Sequence, residues 1–219
     1  MDNHSNTKLL VIVDENTKQL DAVTERLIFC LAEVPLISTS KVALNAIREF
    51  GLQWRQRNPL SKFHLADFKD EEDINTIIQM VIDLRPTIKL FVFYDINQQH
   101  RKESYLQQTI NITRRNNYRN DHIQWIIESA EEYMGVVKML NLTDDAMVTI
   151  ISDVFCNIFA RILDISNNKG ACTKECKCDT GADENEKIKL AYSRIKPLIR
   201  LQFFKTNEKT ITFSKRKMI

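Results

Sequence analysis

The chain alternates between short apolar runs and longer stripes of apolar residues at helical spacing, the pattern of strands and helices that follow one another. Lys8-Leu9-Leu10-Val11-Ile12-Val13 reads as a first strand. Leu20, Val23, Leu27, Cys30 and Leu31 then recur on one helical stripe, predicting a helix over residues 19–33 that Pro35 stops. Ser38, Thr39 and Ser40 offer N-caps for a second helix carrying Val42, Ile47 and Phe50, with Gly51 closing it. Residues 53–59 read as a polar loop that carries Trp54, and Phe63, Leu65 and Ala66 indicate a short strand over residues 61–67. The acids Asp70, Glu71 and Glu72 favour a helix start, with Ile74, Ile77, Ile78, Val81 and Ile82 on its core face.

The clearest strand is Ile88-Lys89-Leu90-Phe91-Val92-Phe93-Tyr94, set off by Arg85-Pro86 and ending at Asp95. So continuous an apolar run belongs in the middle of a sheet covered on both faces. A helix follows over residues 102–115, a polar loop over 116–121 and a strand over 122–127. Residues 135–142 read as a short helix, 146–151 as another strand, and 154–165 as a helix with Phe155, Ile158, Phe159, Ile162 and Leu163 inward. That order predicts an α/β fold: a doubly wound, mostly parallel sheet with helices on both faces and helical crossovers.

After Ile165 the composition turns polar. Residues 167–186 read as a disordered linker between a domain over residues 1–166 and a basic C-terminal extension over 187–219. The extension holds a helical stripe, Ile188, Tyr192, Ile195 and Ile199, and two apolar runs, 201–205 and 210–213, that pair as a hairpin. It carries ten lysines and arginines against the single acid Glu208, a net +9, so the rest of the chain carries −7 of the overall +2. Such a segment suits an acidic partner, nucleic acid or an acidic protein face, or else it is a solvated tail. Lys187, Lys189, Tyr192, Arg194, Lys196 and Arg200 are the candidate partner-binding residues.

At 219 residues, 43% hydrophobic and 27% charged, the chain has enough apolar surface for a single core. No stretch approaches the roughly 18–20 apolar residues of a membrane span. The first residues lack the apolar centre of a signal peptide, so the reading expects a soluble intracellular protein whose five cysteines are reduced. Cys172, Cys176 and Cys178 are close together but lack paired Cys-x-x-Cys spacing and a fourth ligand nearby, and they read as exposed thiols rather than as a zinc site. His4, His64, His100 and His122 lie singly, outside any His-Glu-x-x-His pair.

The segment Asp14-Glu15-Asn16-Thr17-Lys18-Gln19 follows the first strand where a nucleotide-binding domain would cradle phosphate. It contains no glycine to let backbone N–H groups turn inward, and its two carboxylates repel the ligand. Asp14 and Asp95, each at a strand's carboxyl end, are where a phosphate-accepting or magnesium-binding aspartate would sit; the other reading of each is a helix cap.

The element order over residues 8–165 resembles a Ras-like small GTPase from which the guanine-nucleotide motifs are absent: residues 127–132, Ile127-Glu128-Ser129-Ala130-Glu131-Glu132, stand where Asn-Lys-x-Asp would read the base. Closer still, the chain is similar to the centromere protein M family, which has a GTPase-like fold without nucleotide binding. The resemblance is carried by Leu9-Leu10-Val11-Ile12-Val13 before an acidic segment, Phe63-His64-Leu65-Ala66, the run from Arg85 to Phe93, Val136-Val137-Lys138-Met139-Leu140 and Ala160-Arg161-Ile162-Leu163. It implies a non-catalytic scaffold subunit of the inner kinetochore, in the nucleus, assembling with centromere proteins H, I and K. It carries over no catalytic residue, cofactor or metal. Two other readings stay open: a divergent GTPase or phosphotransfer domain using Asp14 or Asp95, and a DNA-binding recombination or repair accessory using the basic tail.

Overall fold

The computed structural model describes residues 8–21, 24–96, 102–114, 122–128, 130–138, 140–168, 179–205 and 210–214. The polar loop expected over 116–121, Cys172, Cys176, Cys178, His4, His100 and the side chain of Asp95 lie outside the described residues.

The molecule is built on one six-stranded mixed sheet, in the order β4-β1-β2-β3-β5-β6. The strands are β1 (Leu9–Gln19), β2 (Thr24–Pro35), β3 (Thr87–Ile96), β4 (Ile123–Ile127), β5 (Ile199–Lys205) and β6 (Thr210–Ser214). Between and after them run α1 (Ser38–Arg57), α2 (Glu71–Leu84), α3 (Lys102–Arg114), α4 (Met134–Val137), α5 (Ile150–Asn168) and α6 (Asp179–Ile195). The α/β class and the helices on both faces agree with the sequence reading, but the sheet is not mostly parallel. β1 pairs with β4 and β3 with β5 in parallel, while β1–β2, β2–β3 and β5–β6 are antiparallel.

The main correction lies at residues 19–33, where the expected helix is a strand. β1 and β2 form a long antiparallel hairpin, Leu9 opposite Pro35 and Gln19 opposite Glu25. The physical cause is burial on two sides. Ile28, Cys30, Ala32 and Val34 enter one core layer and Leu27, Phe29 and Leu31 the other. A strand covered on both faces is apolar at successive positions, and such a run satisfies a helical period as readily as a period of two.

The first layer packs α1, α2, α5 and α6 on one face, through Leu44, Trp54, Ile78, Val81, Phe155 and Ile195 among others. The second sets Tyr105, Leu106 and Ile110 of α3, with Tyr133 and Val137, against the aromatic face formed by Phe29, Phe91, Phe93, Trp125 and Phe203. Lys89 and Glu33 form an ion pair, both side chains more than nine-tenths buried.

Three further expectations fail for packing reasons. α1 does not end at Gly51 but runs to Arg57, so the expected polar loop is its last turns and Trp54 is buried. A Cβ on Gly51 would lie 2.8 Å from both Met147 and the Phe63 ring, so the glycine provides close approach rather than a stop. Residues 61–67 form no strand, only a 3-10 turn at Leu65–Asp67. Residues 146–149 are a turn leading into α5, with Val148 N–H bonded to Asp145 O and Asp153 N–H to Thr149 O, where a strand was expected.

The C-terminal segment is part of the sheet. α6 begins at Asp179, inside the expected linker, and packs on α5, while β5 lies parallel to β3 with Phe91 opposite Phe203. The expected helix and hairpin are present, but residues 199–205 flank the central strands of the fold instead of extending from a finished body.

Candidate functional site

β1 and β4 run side by side and parallel, with Val13 opposite Ile127. The next residue on each is an acid, so Asp14 and Glu128 emerge together, and Glu128 N–H closes the ladder on Val13 O at 3.2 Å. α5 crosses the same face and brings Asp153, 3% exposed, from its first turns. The segment between α1 and α2 adds His64 from the fourth side. Its Nε2 lies 3.1 Å from Glu128 Oε1 and its Nδ1 3.9 Å from Asp153 Oδ1. Asp153 also accepts Leu65 N–H at 2.5 Å and the Asn157 side-chain amide.

The electrostatics follow from crowding like charges where water is scarce. Asp14 is 6% exposed, and burial, its hydrogen bond to Glu128 and the charges of Asp153 and Glu128 hold its carboxyl well above the usual range. Burial and like charge both favour the neutral form of an acid so placed. The proximity of Asp153 and the charges of Glu128, Asp153 and Asp67 raise His64 despite its partial burial, so the imidazolium form is favoured. Burial pushes the thiols of Cys30 and Cys156, both 0% exposed, well up, so neither is a nucleophilic thiolate. Glu15, on the opposite face, is also raised by burial, against the pull of Lys102 at 3.1 Å.

The segment expected to lie under a phosphate is not a loop. Residues 14–19 continue β1 and pair with residues 25–30 of β2, so their backbone N–H groups belong to the sheet or its edge rather than to an anion cradle. Among the described residues, no group of three or more His, Cys, Asp and Glu side chains is arranged to hold a metal ion, and no helix is long and apolar enough to cross a membrane. Three carboxyls and one imidazole thus meet in one buried cluster.

Of the residues singled out in the sequence, Asp14 is at the centre of this cluster. His64 had read as an isolated histidine, and nothing local marked Glu128 or Asp153. They meet only because β4 pairs with β1 and α5 crosses β1. The C-terminal candidates make separate contacts, Lys187 and Arg194 of them against α2. Lys187 pairs with Glu71 at 3.1 Å, Lys189 pairs with Glu186, and Arg194 donates to Asn75 and Gln79 at 3.2 and 2.9 Å. Tyr192 packs its ring against Phe159, while Lys196 and Arg200 are exposed. Compared with known proteins, the chain matches no family model and no curated protein.

Proposed function

We propose that this chain is a non-catalytic interaction subunit, and specifically the kinetochore scaffold that its resemblance to the centromere protein M family implies. One observation carries the reading: where an enzyme of this general architecture would bind phosphate, β1 runs on as a hairpin strand, and beside it Asp14, Glu128, Asp153 and His64 are clustered, with His64 paired to Glu128. Carboxyls in that place repel phosphate, and a protonated Asp14 is a poor phosphate acceptor, which weighs against the GTPase and phosphotransfer readings. The proposal includes descent from a small-GTPase-like doubly wound fold. Helices on both sheet faces agree with it, and the β1–β2 hairpin is the departure that removes the phosphate loop. Lys187, Lys189 and Arg194 make polar contacts within the molecule, and DNA binding through the basic segment stays the alternative reading.

The partners of the proposal are centromere proteins H, I and K, and its location is the nuclear centromere. Two measurements test it. Titration with labelled GTP and ATP, with and without magnesium, should give no saturable binding. Mixing the purified chain with centromere proteins H, I and K should give one co-eluting complex on gel filtration. Saturable magnesium-dependent nucleotide binding would overturn the non-catalytic reading, and separate elution would overturn the kinetochore assignment.

A further inference from the structure

Between α1 and α2 the chain crosses the carboxylate end of the sheet as a strap, residues 58–70, of which only Leu65–Asp67 has regular form. Phe63 within it has φ 65°, a left-handed conformation that a bulky aromatic residue adopts only under strain. Its ring is 1% exposed and sits 5.5 Å from Trp54, 6.2 Å from Phe50 and 5.5 Å from Phe68. Some polar ties are internal to the strap and α1: Asn58 donates to Trp54 O at 3.1 Å, Arg55 to Lys62 O at 3.3 Å, and Lys62 N–H to Asp67 at 2.9 Å. Those that reach the sheet and α5 come from two successive residues. Leu65 N–H bonds to Asp153, and His64 stands between Asp153 and Glu128. Beside them lies a cavity of about 590 Å³, lined by Arg55, Lys62, His64, Glu128, Glu131 and Asp144.

We propose that His64 is a proton-operated latch: its imidazolium holds the strained strap onto Glu128 and Asp153, and loss of the proton releases the strap and opens the cavity beside it. Both ring nitrogens of an imidazolium carry a proton and share its charge, so one side chain can pair with Glu128 at 3.1 Å and attract Asp153 across 3.9 Å. A neutral imidazole donates from one nitrogen and turns a lone pair toward the other carboxylate. Glu128 after β4, Asp153 from α5 and Asp67 from the strap itself act on it, and Arg55, Lys62, Glu131 and Asp144 line the cavity with it. With His64 neutral, Arg55 and Lys62 are the cations left beside these acids, and the Arg55 Nε lacks a hydrogen-bond partner.

The direction follows from the His64 titration. The value for His64 in the folded chain lies above the ordinary 6.5, so its contribution is complete below that pH and is lost as pH rises through the raised value. The strap is therefore weakened on the alkaline side.

Hydrogen exchange on the full chain, from about pH 5.5 to 8.5 and corrected for intrinsic exchange, tests this. Protection at the Leu65 amide should fall about tenfold or more through the histidine titration, while amides of β3 keep theirs. His64→Gln should show low, pH-independent protection at Leu65. Glu128→Gln, which keeps the strap's shape, should move the midpoint of the fall to lower pH and serves alone if His64→Gln does not fold. Constant protection at Leu65 in the unmodified chain, the same fall in His64→Gln, or an unmoved midpoint in Glu128→Gln would overturn the latch.

Discussion

Two charged clusters lie under α5 on the same face of the β1–β2 hairpin, and they solve burial in opposite ways. At the distal end Arg26, 0% exposed, donates to Asp164 at 2.7 Å, and Lys18 reaches the other oxygen of Asp164 at 2.8 Å. Burial would raise that carboxyl, but the hydrogen bonds and charges of the two cations outweigh it and hold Asp164 below the usual range. Midway along the hairpin, Asp14 meets Glu128 and Asp153, and like charges with burial act together to raise it. One helix thus seals an opposite-sign cluster at its end and a like-sign cluster at its start. The first is tuned against acid and the second against alkali, so position along one interface sets the sign of the pH response.

The comparison presupposes an intact sheet, and the coarsest way to break it is to remove the sheet's far side. Ending the chain after residue 166 deletes α6, β5 and β6 and strips Phe203 from Phe91 and Phe93. The truncated chain should lose its cooperative thermal transition in calorimetry. Phe91→Ala, in the aromatic layer away from both clusters, should cost about 3–5 kcal/mol in denaturant unfolding and sets the scale for the charged sites.

Asp164→Ala leaves Arg26 buried without a carboxylate, with Arg26 Nε and Nη2 already lacking hydrogen-bond partners. It should cost about 2–4 kcal/mol, below the full value for a buried pair because Asp164 is partly exposed. The loss should shrink as pH falls through the lowered Asp164 value, since the unmodified protein gives up the same interaction there. Asp14→Asn sharpens the contrast with a smaller effect of opposite sign. Removing an ionisable carboxyl held protonated by its surroundings should raise the melting temperature at about pH 8 and change little at about pH 5. An Asp14→Asn protein that is destabilised equally at both values would show that the charge of Asp14 is needed and that the cluster is not like-signed in effect.

How far the sequence reaches can be read from particular elements. The central strand at Ile88–Tyr94 was legible because nothing competes with a β-branched and aromatic run set off by Arg85-Pro86. The helix from Glu71 was legible because its acids and Asp70 cap, which accepts Glu72 N–H at 2.9 Å, are local signals. The segment over residues 19–33 was not. Its apolar positions satisfied two periods at once, and the choice between them came from β1 on one side and β3 on the other. Asp14 was legible as a site candidate from its place after a strand, while His64, Glu128 and Asp153 come from three distant segments, and no spacing within the chain announces their meeting.

By itself, then, the sequence determined the α/β class, the apolar strands and helices with unambiguous period, and the absence of a glycine loop after β1. The tertiary structure alone decided that β2 is a strand, that β5 stands beside β3, and that four titratable side chains meet midway along β1. The reason is physical. Local propensity and period are set within a turn or two of chain, whereas strand pairing and the titration of a buried carboxyl depend on what distant segments bring beside it.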